Sequence, residues 1–484
     1  MTTLSDAAAR GTAVTVGAQL IRFVMQLGSM VVLARILLPS DFGLVAMVTA
    51  IIGVAEIVRD VGLSSAAIQA RTLSAGERTN LFWVNTGLGA ACAAIAIALT
   101  PVIVAIYHEP RLTHVVPPLA AVFILSGLNT QLRADLSRSL RFRALAGSDV
   151  ISQGTGMLVA VIAAWRGAGY WALVAQPVVA AFVALAVNAV NCRWLPGLPR
   201  RDVSIRSFFH FGLRLLGTQA LSYGTKNIDN VVLGAVWGPT QLGLYSRAYQ
   251  LLMTPLNQIN TPLTRVALPV LSQLQDDRRM FARYAGRAQL VGCYVTATML
   301  AVAAALSYPL IDLLFGAKWD GLAPIFALLA LGGVFRSISQ LSYWLFLAAG
   351  KTGAMLRLDL WCQPIMMGVI VAGVPWGPRG VAVGHLVAYG SYWVVSLVAV
   401  GRATGVPTRP LFVKALVAVG LVGAPAALAA WGATQLVGSS VAELALGTTA
   451  AGIVVAASAL AFPIVRADLT FLANFLRRSL SRSR

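Results

Sequence analysis

The chain has 484 residues, of which 58% are hydrophobic and only 11% are charged, and its formal net charge is +20. A soluble protein of this length needs far more charge to cover its surface, so the composition indicates a membrane protein. Apolar runs of about 20 residues recur along the chain, each long enough to cross the hydrocarbon layer as a helix. These runs do not alternate apolar and polar residues, which argues against an outer-membrane barrel.

The predicted membrane spans run from near the N-terminus to a basic C-terminal tail. The segment before the first span lacks the basic stretch and small-residue cleavage site of a signal peptide, so we expect it to be retained. Fourteen spans are predicted, at 12–37, 42–65, 81–107, 113–132, 148–165, 168–191, 207–236, 242–267, 288–314, 321–349, 354–374, 380–401, 411–433 and 443–465. Because this number is even, both termini are expected on the same side of the membrane.

Basic residues are distributed unevenly between the two sides of these spans. The side that holds the termini carries 25 lysines and arginines. The opposite loops carry five, which are Arg35, Arg111, Arg166, Lys318 and Arg379. By the positive-inside rule, this asymmetry places both termini in the cytoplasm. The basic excess then faces the anionic lipids of the inner leaflet, and nucleic acid is not an expected partner.

A sequence repeat divides the chain into two halves. "VVLARILLPSDFGL" (31–44) and "VVLGAVWGPTQLGL" (231–244) are 200 residues apart and share six identical residues, including Pro39/Pro239 and Gly43/Gly243. In each copy one apolar helix ends at the proline, and the next begins near Gly43 or Gly243. Six predicted spans separate the copies, which predicts two six-helix lobes of the same orientation, related by an axis along the membrane normal.

The predicted fold is therefore an all-α multi-pass membrane protein with five parts. An N-terminal lobe at 1–191 and a C-terminal lobe at 207–401 are joined by a basic cytoplasmic linker at 192–206. Two further spans at 411–465 lie outside the repeat and form an accessory helix pair. The tail at 466–484 places four leucines on one helical stripe beside arginines, which predicts an interfacial helix on the cytoplasmic leaflet. A docking site for a partner protein is the alternative.

Charged residues within the predicted spans are the strongest functional signal. Seven are basic, namely Arg22, Arg59, Arg214, Lys226, Arg247, Arg265 and Arg336. Each arginine in the middle of a span costs about 2.5–3.5 kcal/mol on insertion scales, so it must extend to the interface, form an ion pair or face a wet cavity. Arg247 and Arg265 lie near opposite ends of their helix, where their side chains reach the interface, and we assign them no role.

Arg22, Arg214 and Arg336 have no acidic residue within four positions on either side. At 1.5 Å per residue, Arg22 lies roughly 16 Å into its helix and Arg336 about 22 Å from the outer end, whereas Arg214 is shallower. Gln26 shares a face with Arg22, and Gln340 follows Arg336 by one turn. A basic, hydrogen-bonding face within an apolar helix predicts a water-filled cavity that binds an anion. Phosphate suits the guanidinium, which bonds two oxygens at once.

Acidic residues near the other intramembrane bases have two interpretations. Glu56, Arg59 and Asp60 fall within one helical turn of each other, as do Lys226 and Asp229. Each cluster can neutralise itself as a buried ion pair on one helix, which is the simpler interpretation. Glu56 and Asp229 are also possible long-range partners for an arginine on another helix, which is the alternative to an anion-binding cavity.

Few residues point to chemical catalysis. Four isolated cysteines, Cys92, Cys192, Cys293 and Cys362, indicate neither a disulfide framework nor a metal site. The outer loops are too short to assemble a catalytic site, and no Walker A motif is present. We therefore expect a carrier and not an enzyme, without a bound cofactor and driven by a proton or sodium gradient.

Several ordered blocks resemble a known family. They are "LARILLPSDFGLVAM" (33–47), "RDVGLSSAAIQ" (59–69), "FWVNTGLG" (82–89), "TRVALPVLSQLQDD" (264–277), "FGAKW" (315–319) and "LGGVFRSIS" (331–339). Together they resemble Wzx-type polysaccharide exporters, especially the WzxC-like branch of colanic acid exporters in the MOP superfamily. The resemblance extends to about residue 360, and the last spans match only in hydrophobicity.

The resemblance implies two lobes that form a V around a central cavity in the bacterial inner membrane. It also implies that the protein flips an undecaprenyl-pyrophosphate-linked oligosaccharide to the periplasmic leaflet by alternating access. Polysaccharide polymerase and chain-length regulator are then expected partners. The expected cationic cavity residues are Arg22, Gln26, Arg214, Lys226, Arg336 and Gln340. The acids expected to couple transport to an ion gradient are Glu56, Asp60 and Asp229.

Three alternatives remain at this point. An exporter of organic cations similar to the MATE drug exporters predicts that acids, and not unpaired arginines, dominate the cavity. A lipid II flippase predicts a related lipid-linked substrate. A scaffold that organises polysaccharide assembly without transport predicts that changes in the cavity are harmless.

Overall fold

The computed structural model describes the backbone of residues 2–59, 73–192, 194, 196–199 and 206–481. It describes the side chains of residues 14–15, 17–53, 73–192, 194, 196–199, 227–472 and 474. The chain separates into two compact units, Met1–Gly243 and Leu244–Arg484. The lobe boundaries predicted from the repeat differ from this division and stay a prediction.

The first unit consists of α-helices throughout its described part. In chain order they are α1 (Thr2–Ile36), α2 (Pro39–Arg59), α3 (Ala75–Ala98), α4 (Thr100–Tyr107), α5 (Leu112–Arg138), α6 (Phe142–Trp165), α7 (Tyr170–Asn191) and the first part of α8 (Arg206–Gln273). Within the unit, α6 packs against both α1 and α7, and α5 packs against α3 and α7.

The second unit holds the rest of α8 and ten further α-helices within its described part. They are α9 (Arg278–Leu290), α10 (Thr298–Ala305), α11 (Ser307–Phe315), α12 (Leu322–Ala348), α13 (Thr352–Ala372), α14 (Gly377–Thr404), α15 (Arg409–Ala418), α16 (Ala424–Thr434), α17 (Ser440–Ala461) and α18 (Pro463–Ser481). Two π-helical segments, Val291–Ala297 and Val419–Gly423, join α9 to α10 and α15 to α16. The central helix α12 packs against α14 along most of its length.

Most of the predicted spans overlap helices of the described residues. Within the described residues, ten helical segments are long and apolar enough to cross a membrane. One of them, Thr352–Thr404, contains both α13 and α14, and a shorter apolar helix covers Pro39–Gly53. The multi-pass helical fold is therefore confirmed, while the total of fourteen spans stays a prediction.

Local sequence explains where several helices begin and end. Ser74 and Glu77 form a capping box at the start of α3, in which each side chain accepts a hydrogen bond from the other's backbone N–H. Gly238 interrupts α8 with a φ of 74°, in the left-handed region that favours glycine. This break falls directly before Pro239, where the repeat predicts that one helix ends and the next begins.

Close helix crossings in the first unit depend on glycines. A Cβ atom added at Gly89 would lie 2.5 Å from the carbonyl oxygen of Phe123, and one at Gly127 would lie 2.6 Å from that of Asn85. These reciprocal contacts bring the backbones of α3 and α5 together. Small residues allow such close approach where lipid tails provide no hydrophobic drive for association.

The described part of the linker is held against the end of the first unit that carries the α5–α6 connection. Arg78 donates to Asp135 at 2.6 Å, and its guanidinium carbon lies 4.4 Å from the centre of the Trp194 ring. The Trp83 indole donates to the carbonyl of Gly197 at 2.8 Å. Trp194 and Gly197 of the predicted linker are thus docked on helices α3 and α5.

The accessory pair and the tail pack against other helices of the second unit. Leu306, which lies between α10 and α11, forms one apolar cluster with Ala426 and Ala430 of α16 and with Ala451 of α17. The tail forms the predicted helix, α18, and its residue Leu472 is buried. This part of the leucine stripe therefore packs against protein. The predicted placement of the helix at the membrane surface stays a prediction.

Candidate anion-binding sites and family membership

Arg22 lies on α1 at a point where the helix packs against α6. Its Nη1 donates to Oδ2 of Asp149 at 3.0 Å, and its Nε donates to Oε1 of Gln153 at 3.1 Å. Gln153 in turn donates to the backbone carbonyl of Arg22 at 3.2 Å. Asp149 and Gln153 are one turn apart on α6, so a single face of that helix orients the guanidinium.

A second arginine binds the same carboxylate. Arg133 of α5 donates to Oδ1 of Asp149 at 2.6 Å. The side chains of Arg22 and Arg133 are 48% and 40% exposed, whereas that of Asp149 is 22% exposed. Two guanidinium groups share one carboxylate, so the three side chains carry a net charge of about +1 at neutral pH.

An open groove adjoins this cluster. Its volume is about 400 Å³, within the usual range for ligand-binding pockets. The groove is lined by Arg22, Asp149, Ser152, Gln153, Gln176, Pro177 and Ala180. Gln176 of α7 is held by a hydrogen bond to the hydroxyl of Ser29 on α1 at 3.0 Å. The groove thus combines positive charge with the amides of Gln153 and Gln176, which are donors suited to an anionic, oxygen-rich ligand.

The contacts of Arg22 also establish its level in the unit. Arg133 lies five residues before the end of α5 and Asp149 lies seven residues after the start of α6. At 1.5 Å per residue, Arg133 lies about 8 Å from the end of α5 and Asp149 about 11 Å from the start of α6. The α5–α6 connection joins these two ends. Arg22 is therefore near this end of the unit, at a shallower level than the middle of the span.

Arg336 occupies a different environment, inside the second unit. It extends from α12, and its Nη1 lies 2.7 Å from the hydroxyl of Tyr389 on α14 and 3.2 Å from that of Tyr249 on α8. Its guanidinium carbon also lies 5.0 Å from the centre of the Tyr389 ring, in a cation–π contact. Both of these hydrogen bonds go to phenol hydroxyls, which hold the positive charge without neutralising it.

These tyrosines belong to a larger aromatic cluster. Tyr245 Oη lies 2.8 Å from Nε2 of His385, which stacks on Tyr389 with ring centres 6.0 Å apart. Tyr249 stacks on Tyr245 at 6.2 Å and contacts the His385 ring at 5.7 Å. Tyr245, Tyr249 and Tyr389 therefore cannot rotate independently, which fixes the hydroxyls that position Arg336.

The structure locates only some of the other predicted site residues. Gln26 is exposed on α1 one turn beyond Arg22, and Gln340 is half-buried one turn beyond Arg336. Asp229 is buried, and its Oδ1 accepts a hydrogen bond from the backbone N–H of Asn230 at 2.8 Å. The side chains of Glu56, Asp60, Arg214 and Lys226 lie outside the described residues, so the roles expected of them stay predictions.

Sequence reasoning missed the direct partners of both arginines. The ion-pair alternative names Glu56 or Asp229 as the long-range partner of Arg22, but the acid bonded to Arg22 is Asp149. Asp149 falls at the edge of the predicted span 148–165, and Arg133 lies one residue beyond the predicted span 113–132. Both therefore look like loop-side charges, because α5 and α6 extend about two turns beyond the apolar runs. The tyrosine partners of Arg336 carry no comparable sequence signal.

Comparisons with known proteins agree with the resemblance found in the sequence. The family model described as "Polysaccharide biosynthesis protein" matches residues 32–324. The chain is 25% identical to the lipopolysaccharide biosynthesis protein WzxC of Escherichia coli (strain K12) over 365 residues, which cover 74% of this chain and 73% of that protein. It is 28% identical to the succinoglycan biosynthesis transport protein ExoT of Rhizobium meliloti (strain 1021), over 62% of this chain and 61% of that protein.

Solved structures show the same fold. The lipid II flippase MurJ in its inward closed conformation matches with a TM-score of 0.68 at 14% identity, covering 90% of this chain and 96% of that chain. A multidrug resistance MATE family transporter of the MOP superfamily, in an inward-facing conformation, matches with a TM-score of 0.60 at 15% identity, over 79% and 96% of the two chains. The family match covers more than half of the chain, and the chain therefore belongs to the polysaccharide biosynthesis protein family.

Proposed function

We propose that this protein flips an undecaprenyl-pyrophosphate-linked oligosaccharide from the cytoplasmic to the periplasmic leaflet of the bacterial inner membrane. Alternating access between two helical lobes would expose the bound substrate to each side in turn. The observation that carries the proposal is the pair of arginines, Arg22 and Arg133, that face one carboxylate beside a polar groove. The pyrophosphate is the most highly charged part of such a substrate and needs the strongest stabilisation within the membrane.

Arg22 is the proposed primary contact of the pyrophosphate in the first unit. Its fork is oriented by Gln153, and it retains substantial exposure toward the groove. A guanidinium in fixed orientation binds two phosphate oxygens with little further loss of conformational freedom. Gln176, together with Gln26, is available to bind sugar hydroxyls through its amide.

Arg336 is the proposed anion contact of the second unit. Phenol groups hold it in place through Tyr249 and Tyr389, so its charge remains to attract an anion. Gln340, one turn away, adds a hydrogen-bonding group. Arg214 and Lys226 complete the proposed basic set, and Glu56, Asp60 and Asp229 are the proposed groups for coupling to a proton or sodium gradient.

Surface polysaccharide in a deletion strain tests this function. We expect that Arg22→Ala and Arg336→Ala fail to restore export, while the protein reaches the membrane at the wild-type level. Arg22→Lys should restore only part of the export, because an ammonium keeps the charge but lacks the fork. Arg166→Gln is a suitable control, because it removes an exposed base at the opposite end of α6 from Asp149.

The outcome separates the proposed function from its alternatives. Normal export by both alanine variants would contradict the anion-binding role of these arginines and favour a scaffold. Increased sensitivity to organic cations in the deletion strain, with unchanged polysaccharide, would favour a MATE-like exporter. Accumulation of lipid II would identify the other lipid-linked substrate. Co-purification with the polysaccharide polymerase and chain-length regulator tests the proposed partners.

A further inference from the structure

Asp149 fills the coordination position that the proposed substrate needs. Each of its two oxygens accepts a hydrogen bond from a different arginine, at 3.0 Å from Arg22 and 2.6 Å from Arg133. A carboxylate and a phosphate present the same two-oxygen edge to a guanidinium fork. The resting site therefore already contains an anion, which is supplied by the protein itself.

The two bonds to Asp149 are not equivalent. The contact with Arg133 is shorter by 0.4 Å, and it joins two helices that a three-residue connection links directly. Arg22 comes from α1, more than one hundred residues earlier, and has the more exposed side chain of the two arginines. Because exposed ion pairs are weak and a phosphate carries more charge than a carboxylate, the Arg22 bond is the one that a phosphate replaces.

We propose that Asp149 is an internal counter-anion that leaves Arg22 when the substrate pyrophosphate binds and stays paired with Arg133. This inference rests on the proposed function and identifies how its anion site is regulated. The exchange leaves no buried carboxylate without a partner, because Arg133 keeps its bond. Without substrate, Asp149 neutralises Arg22 and prevents adventitious anions from occupying the groove.

The surroundings of the exchange contain few other charges. The groove is completed by Ser152, Gln153, Gln176, Pro177 and Ala180, which are all uncharged. Among the described residues, the ionised side chains bonded within the cluster are Arg22, Arg133 and Asp149. The competition is therefore between the Asp149 carboxylate and the incoming anion, and neutralising the carboxylate should strengthen anion binding.

The test is binding of inorganic pyrophosphate to the full chain in nanodiscs of uncharged phosphatidylcholine. Asp149→Asn preserves the size of the side chain and removes the competing charge. We expect the pyrophosphate Kd of this variant to fall about fivefold or more, equivalent to ~1 kcal/mol. Arg22→Ala should abolish pyrophosphate binding in both the wild-type and the Asp149→Asn background. This result would show that the higher affinity of Asp149→Asn depends on Arg22.

Asp135→Asn is the matched control. Asp135 also pairs with an arginine at 2.6 Å in the first unit, but its partner is Arg78 on the linker side and it does not line the groove. Its substitution should leave the pyrophosphate Kd unchanged. Arg133→Ala leaves Arg22 as the one arginine of this pair bonded to Asp149, so it should weaken pyrophosphate binding. In the Asp149→Asn background, the same substitution should weaken pyrophosphate binding much less.

The outcomes distinguish this inference from the proposed function. An Asp149→Asn Kd that is unchanged or higher, in a variant that unfolds at the wild-type temperature, would overturn the counter-anion role. If Asp149→Asn unfolds early, Asp149→Ser together with the Arg133→Ala comparison decides the same question. Loss of binding in Arg22→Ala without a gain in Asp149→Asn would leave the anion site intact and reject only the exchange.

Discussion

Gly43 and Gly243, which occupy the same position in the two copies of the repeat, each lie against the proline of the other copy within the first unit. A Cβ atom at Gly43 would overlap the carbonyl of Pro239, and one at Gly243 would overlap the carbonyl of Pro39. Two segments related by a 200-residue offset thus contact each other reciprocally. Their glycines are needed for close backbone approach and not for an unusual φ.

The first prediction concerns this crossing. Gly43→Ala should destabilise the protein by about 1–3 kcal/mol or more, since the overlapping atoms belong to the backbone and cannot move aside as a side chain does. Thermal unfolding of the purified protein measures the change. Gly87→Ala is the control, because Gly87 is helical and exposed, and a Cβ atom there meets nothing within 4 Å. The control should be neutral or stabilising by about 0.5–1 kcal/mol. Equal unfolding temperatures for the two variants would contradict the close crossing.

The second prediction concerns the phenols that hold Arg336. Tyr389→Phe keeps the ring face but removes a hydroxyl 2.7 Å from the guanidinium, and should cost about 1.5–3 kcal/mol, the usual range for a hydrogen bond to a charged group. Tyr249→Phe should cost less, because its contact is 3.2 Å long. Tyr308→Phe, at an exposed position on α11, should change stability by less than about 0.5 kcal/mol. The Arg336 arrangement is wrong if all three variants unfold at the same temperature.

The third prediction concerns the docked linker. The Cys192 thiol donates to Asp135 at 3.4 Å, and burial raises the pKa of this thiol above its ordinary value. A raised pKa leaves less reactive thiolate at neutral pH, so maleimide should label Cys192 slowly and faster as the pH rises. Arg78→Ala removes the contacts with Asp135 and Trp194 and should accelerate labelling several-fold.

This labelling experiment needs a background in which Cys92, Cys293 and Cys362 are replaced by alanine. Arg143→Ala is the matched control, since Arg143 is an exposed base near the same end of the unit. Its labelling rate should equal that of the parent. An Arg78→Ala rate that equals the control would show that the linker does not depend on this arginine.

The fourth prediction concerns attachment of the tail helix. Asp468 of α18 pairs with Lys414 at 3.1 Å and accepts a hydrogen bond from Tyr294 at 3.3 Å. Asp468→Asn leaves the Lys414 ammonium without its carboxylate, so the tail should detach more often and be cut several-fold faster by trypsin. Adding Lys414→Met removes the unpaired charge and should restore part of the protection. Asp320→Asn, at an exposed position, should not change the rate of cleavage. Equal rates for Asp468→Asn and Asp320→Asn would contradict this attachment.

Much of the architecture was predictable because it depends on local composition. An apolar run of about 20 residues becomes a helix in lipid, because the hydrocarbon layer contains no water and the backbone N–H and C=O groups must bond each other. The helices found in the described residues accordingly overlap most of the predicted spans. The ends were less predictable, because polar residues extend α5 to Arg138 and start α6 at Phe142. The extension of α5 contains Arg133, and Asp149 lies at the edge of its predicted span, next to the extension of α6.

The sequence by itself determined the membrane class, the family and the unusual position of Arg22, because hydropathy, ordered motifs and the absence of a nearby acid are properties of the linear chain. Only the tertiary structure decided what surrounds that arginine. Asp149 is 127 residues away, and its contact with Arg22 depends on the packing of α1 against α6. Likewise, Arg336 meets Tyr249 and Tyr389 only because three helices bring them together. Side-chain pairing across helices depends on the rotation and level of each helix, which short-range sequence patterns do not specify.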